Sequence, residues 1–368
     1  MKLYYIVILF VIMITIIPAV INAQDNNQTK KIRYQEDTIG FSSHASQMDE
    51  FMNRLLRAQY NDIEKSLDDA KVNNSTVWKA AICPHDDYTY VGYLYPALLT
   101  NVKAKTIILI SVCHKAKQFG LENKIIFDSY THWRMPYGDV PVSNLRNEII
   151  KRLPLNIFEV NDTVQAVEHS TEAIIPFLQY FNKEVEIISI LIPYMGFDRM
   201  NEISIPLSSA IKEASDNYNL QWGTDFVVII STDAVHYGDK DWGGKNFAFY
   251  GSDSSGYVKA VGHEMEIINN CLTGGIMNDK IKKFVDYTVR EDNYTEYKWT
   301  WCGRYSVPFG LMTVLNMQKL YNSDLEGVLL KYATSIDHSH IPVFDIGMGI
   351  TAPANLNHWV GYAAIGYR

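Results

Sequence analysis

Cysteine is scarce in this chain. Four in 368 residues, Cys83, Cys113, Cys271 and Cys302, form no CxxC pair, which excludes a zinc ribbon and a thioredoxin-like motif. Buried free thiols are expected, with a Cys83–Cys113 disulfide as the alternative in an oxidising compartment. Positive charge is also in deficit. With 33 Lys and Arg against 41 Asp and Glu, the formal charge is −8, and no basic cluster offsets it, which argues against nucleic acid as a partner. Low-complexity tracts, internal repeats and Pro/Gly/Ser linkers are missing too, so a single domain is expected. No apolar run beyond the N-terminus is long enough to span a membrane.

The N-terminus itself is a special case. Lys2 is followed by an apolar stretch from Leu3 to Ile21, then Asn22-Ala23-Gln24. A basic start, an apolar core and a small residue before a polar segment read as a secretory signal peptide over residues 1–23, cleaved after Ala23. An uncleaved membrane anchor is the alternative. No cysteine follows the run, so a lipoprotein anchor is excluded. Residues 24–36 read as a flexible leader and residues 37–368 as the domain of an exported protein, secreted or periplasmic.

What the chain does have is three histidines placed after three hydrophobic runs. Val77 to Cys83 breaks at Pro84 before His85; Lys105 to Cys113 runs into His114; Asp225 to Asp233 leads to His236. Short runs rich in Val and Ile read as strands buried on both faces, hence a parallel sheet covered by helices. Ligands bind in such sheets at the carboxyl ends of the strands.

Between these runs the pattern is helical. Residues 46–70 carry apolar side chains at helical spacing, and helices are expected at 144–153, at 168–181 opening on Glu168-His169-Ser170-Thr171-Glu172, at 203–217, at 256–272 and at 309–320. Further strands are expected at 124–127, 185–192, 343–350 and 359–367, and residues 131–140 read as an irregular aromatic loop. The alternation predicts a three-layer α/β/α sandwich around a mostly parallel or mixed sheet.

Two imidazoles and a thiolate, His85, His114 and Cys302, leave open coordination positions, as a catalytic metal site requires. Gly303 permits a tight turn there, and Arg304 would favour the thiolate. Asp233 and His236, just past a strand, suit an orienting carboxylate and an acid–base imidazole. His169 and Glu172 are three apart and would share a helical face. A buried structural Cys302, an Asp233 that only caps a turn and a plain helix start at Glu168 are the alternatives.

Several segments resemble the Memo family, known in bacteria and archaea as AmmeMemoRadiSam system protein B. Cys83-Pro84-His85-Asp86-Asp87-Tyr88-Thr89-Tyr90-Val91-Gly92 is similar to its "PHAGYTYSG" element. Glu168-His169-Ser170-Thr171-Glu172 with Pro176-Phe177 is similar to "EHSIE…PF", and Ser231 to Gly238 to "SSDxxHWG". Cys302-Gly303-Arg304 matches "CGR", and Gly361 to Ala364 resembles the "YAAG" ending. The resemblance implies the fold of the class III extradiol dioxygenases, which are non-haem iron enzymes. It implies a mononuclear site on His85, His114 and Cys302, with iron(II) as the metal or else copper or zinc. His236 would be the acid–base group, Asp233 and His169 would orient the pocket, and Tyr88, Glu172 and Arg304 would line it. A small molecule or peptide would occupy the crevice. Asp86-Asp87 replaces the family's "AG" and adds negative charge, His114 is followed by Lys115 instead of a second histidine, and Tyr305 stands where a histidine is common. The implied activity is a metal-dependent oxidoreductase of dioxygenase type. The alternative is a non-enzymatic metal- or peptide-binding module.

Overall fold

The computed structural model describes residues 30–368. The expected signal peptide lies outside the described residues. Thirteen strands follow in chain order. They are β1 (Ile32–Arg33), β2 (Ala80–Cys83), β3 (Thr106–Val112), β4 (Ile125–Phe127), β5 (His132–Met135), β6 (Gly138–Pro141) and β7 (Phe158–Val160). Then come β8 (Glu186–Ile192), β9 (Phe226–Ser231), β10 (His236–Gly238), β11 (Gly274–Gly275), β12 (Glu326–Thr334) and β13 (His358–Tyr367). The main sheet runs β11-β12-β13-β2-β9-β3-β8-β4-β7, with β10 paired to β13. Its centre, β2-β9-β3-β8, is parallel, and β13 joins β2 antiparallel.

The central strands are buried on both faces because their residues alternate between two cores with the strand period of two. Ile82, Ile108, Ile110, Ile188, Ile190, Val228 and Ile230 pack on one side against the helices Leu145–Arg152, Phe197–Asn217 and Ser306–Tyr321. Ala81, Cys83, Ile107, Leu109, Ile187, Val227 and Ile229 pack on the other against Ala45–Asp69, Leu94–Leu99 and Ile175–Phe181. The protein is a three-layer α/β/α sandwich around a mixed sheet. The four cysteines are free and buried. No helix of the described residues is long and apolar enough to cross a membrane.

Four expectations need correction. The segment 131–140 is not irregular but a hairpin, in which Met135 faces Gly138 across Pro136-Tyr137; Gly138, at φ 106°, supplies the conformation that closes it. Residues 343–350 do not form a strand. Phe344–Ile346 is a single 3₁₀ turn ended by Gly347 at φ 77°. The helix expected from Glu168 begins only at Ile175, for a reason that belongs to the site below. Residues 31–36 are part of the folded unit and not a leader, since Ile32–Arg33 pairs with β5 and Arg33 is buried.

One buried acid makes the fold sensitive to pH. Glu264, fully buried, accepts the indole N–H groups of Trp299 and Trp301 at 2.5 and 2.7 Å and the Val235 N–H at 3.1 Å. Burial outweighs these donors and pushes its pKa up to about 7 from 4.5. The folded state therefore keeps a proton that the unfolded chain releases, and stability falls as pH rises between those values. Glu264→Gln cannot titrate. The stability of the variant relative to the native chain should rise by about 3 kcal/mol from acid pH to above neutrality. Denaturant titrations of both proteins across that range measure it, and a pH-independent difference would exclude Glu264 as the source.

Candidate metal centre

The site forms where the strand order departs from chain order. β9 lies between β2 and β3, so the loops after these three strands converge at one sheet edge. They surround a cavity of about 550 Å³ whose lining includes His85, His114, His169, Asp233 and His236.

Hydrogen bonding sets the ring tautomers. The Ser231 hydroxyl donates to the Ser170 carbonyl at 2.5 Å, so it accepts from His85 Nδ1 at 2.8 Å. His114 Nδ1 donates to the Glu168 carboxylate at 2.8 Å, and the His114 backbone N–H donates to its other oxygen at 2.7 Å. In both rings Nδ1 is engaged and Nε2 is the nitrogen left for a metal, which is how a carboxylate or hydroxyl orients a histidine ligand. Burial opposes ionisation of Glu168, but His114 and the Ser170 N–H outweigh it and hold the acid well below the usual carboxylate range. Burial, reinforced by the neighbouring rings, pushes His85 well below the ordinary imidazole value. The same causes bring His169 to about 4 and His236 to about 3. These imidazoles are neutral near pH 7, the form that binds metals.

His85 is the hub. His114 packs edge-on to it at 5.3 Å, and His169 stacks on His114 at 4.6 Å and 11°. The Cys302 sulfur lies 3.5 Å from His85 Nε2 and accepts the Asp233 N–H at 3.1 Å. Among the described residues, two groups have ligand atoms within 4.8 Å of one another: His85 with His114 and His169, and His85 with Asp233 and Cys302. Each group has donors that suit a single transition metal, and His85 is common to both. His114 and Cys302 fall in different groups, so the expected set of His85, His114 and Cys302 is joined only through His85. Gly303 is required by space, because a Cβ there would lie 2.1 Å from the Thr232 hydroxyl. A Memo-like protein family model matches residues 42–346. The chain belongs to the Memo family. Among its relatives are a MEMO1 family protein of Thermococcus kodakarensis, 27% identical over 331 residues, and one of Pyrococcus abyssi, 28% identical over 273 residues. The first match covers 87% of this chain and 95% of the relative, the second 72% and 83%.

Within this Memo chain, several expected roles move. Tyr88 does not line the cavity. It is buried among Phe41, Phe51, Tyr95 and Phe177, and its hydroxyl donates to the Ala173 carbonyl at 2.7 Å. Glu172 pairs with buried Arg33 and accepts the N–H groups of Glu36 and Asp37, so it fixes the wall segment 36–39 from behind. Arg304 faces a different cavity. It does not favour a Cys302 thiolate, for burial and Asp233 push that thiol well up. Burial raises both the Asp86 and Asp87 carboxyls, Asp87 to about 8, so Asp87 adds less charge near neutral pH than expected. Tyr362 and Thr351 donate to the pair and oppose the rise only in part.

His169 and Glu172 do not share a helical face. Ser170 N–H donates to the Glu168 carboxylate at 3.0 Å and the Ser170 hydroxyl to the Val112 carbonyl at 2.8 Å. These bonds compete with helix formation and hold His169 in a turn beside His114. Glu168 was missed as a functional residue because its partner is 54 positions away; its place next to His169 was the available signal. Glu168→Gln should weaken metal binding about 10- to 100-fold, the usual effect of losing such support. Competition titration with a chromophoric chelator measures this, and an unchanged affinity would show that Glu168 does not orient a ligand.

Proposed function

We propose that this Memo protein is a metal-dependent oxidoreductase of dioxygenase type, with iron(II) held by His85, His114 and Cys302. One observation carries the reading. Two histidines with Nδ1 already engaged line one cavity, and a thiol sits 3.5 Å from Nε2 of His85. A bound iron(II) ion would supply open coordination positions and a redox couple.

The chain's own groups do the rest. His236 lines the cavity with an Nε2 atom that has no partner, which places it to exchange a proton with a bound hydroxyl group. Asp233 positions the site from both sides. Its carboxylate accepts the His85 backbone N–H at 2.9 Å, and its own N–H donates to the Cys302 sulfur. Trp242 stacks on His358 at 3.8 Å on the cavity wall and offers a flat surface to a planar small molecule. Export through residues 1–23 belongs to the same proposal and rests on their charge and apolar pattern; N-terminal sequencing of the native protein checks it, a start near Gln24 supporting it and an intact Met1 opposing it.

The activity test is oxygen uptake by anaerobically purified, iron-loaded protein with a panel of catechols. The proposal expects uptake that needs both iron and substrate and that Cys302→Ala lacks. Fully loaded protein that takes up no oxygen with any of them would leave the metal- or peptide-binding module as the function.

A further inference from the structure

A second cavity, of about 370 Å³, shares no lining residue with the first. Arg304 forms part of its wall and is only 4% exposed. Its Nη2 donates to the Thr295 carbonyl at 3.0 Å, while Nε has no partner. The guanidinium lies over the Tyr297 ring at 3.5 Å, with Tyr305 at 4.7 Å and Tyr194 at 5.7 Å.

Comparison within the molecule shows what is missing. Arg33 and Arg146, also buried, each pair with a buried carboxylate, Glu172 and Asp128 respectively. Arg304 forms no ion pair with any described carboxylate. Stacking on the tyrosines and hydrogen bonds to the Tyr305 and Tyr297 hydroxyls offset only part of the cost of burying a cation, and these partners with one carbonyl still leave Nε without an acceptor. The same wall carries two exposed lysines, Lys117 and Lys245, with Glu122 and Glu296. Glu122 is engaged by the Tyr294 hydroxyl at 2.9 Å. The volume falls in the range of small-molecule sites.

We infer that this cavity is a binding site for a small molecule carrying an oxyanion group, a carboxylate or a phosphate, with Arg304 as its principal ligand. The planar guanidinium suits either group through paired N–H donors. Lys117 and Lys245 draw the anion in from the rim. The site does not depend on the metal or on the activity proposed above.

Calorimetric titration of the full chain with inorganic phosphate and, separately, with succinate tests this in a chloride background. Saturable binding of either is expected, and the one that binds identifies the group. Lys117→Gln with Lys245→Gln, both at exposed positions, should weaken it about tenfold. Arg304→Gln should abolish it; should that variant not fold, the lysine pair carries the test. His114→Ala should bind as tightly as the native chain. No saturable binding of either probe would overturn the inference. So would affinity unchanged in the lysine pair, or loss of binding in His114→Ala, which would place the anion in the histidine cavity.

Discussion

His85→Ala should lower metal affinity about a thousandfold while leaving the fold intact. His85 is the one residue common to both ligand groups, so no alternative third ligand compensates for its loss. A structural transition-metal site contributes roughly 10–16 kcal/mol over its ligands, which makes several kcal/mol per ligand a reasonable share. Removing the ring also strands the Ser231 hydroxyl, but that group keeps its bond to the Ser170 carbonyl, so the structural cost is small. Metal content after equilibration with a buffered metal series, together with circular dichroism, measures both effects. A folded His85→Ala protein with native affinity would remove the hub from the account.

The second large effect concerns turnover. His236→Ala should keep its metal and lose about 10²–10⁴-fold in rate, the typical contribution of an acid–base group. The ring lies in the cavity but belongs to neither ligand group. The loss should fall on kcat and not on KM alone. Burial and His114 hold the His236 pKa at about 3, so its base form persists throughout the neutral range. An ordinary imidazole would give a rate limb near pH 6.5; here the limb assigned to His236 should lie far to the acid side. Loss of metal in the variant would make His236 a ligand, and unchanged turnover would leave it structural.

Much of this architecture was legible because the central strands β3, β8 and β9 are apolar runs rich in β-branched residues. β12 was not, since its alternation is interrupted by a bulge between Leu329 and Lys331. The β5–β6 hairpin escaped because Pro136-Tyr137 lacks the usual Asn-Gly type of turn signal. In the site, the three strand-end histidines were readable from position alone, as strand ends share one edge of a parallel sheet. Side-chain direction was not readable. Tyr88, Glu172 and Arg304 all lie within three residues of a histidine or cysteine of the site, yet one points into the core, one to a buried arginine and one into another cavity. His169 was placed on a helix that its own neighbours prevent, and only the resulting turn shows that it stands where a ligand could. Trp242 and His358, which form the flat wall of the cavity, are 116 residues apart in the chain and carried no motif that joined them.

X-ray absorption at the metal edge of the native protein, purified anaerobically, tests the central claim most directly, because only one of the two ligand groups that share His85 contains sulfur. Coordination by His85, His114 and Cys302 predicts one sulfur scatterer at about 2.3 Å beside nitrogen or oxygen neighbours at about 2.0–2.2 Å. The sulfur should vanish in Cys302→Ser. A bound metal with a shell of nitrogen and oxygen only would contradict the claim and put His169 in the place of Cys302.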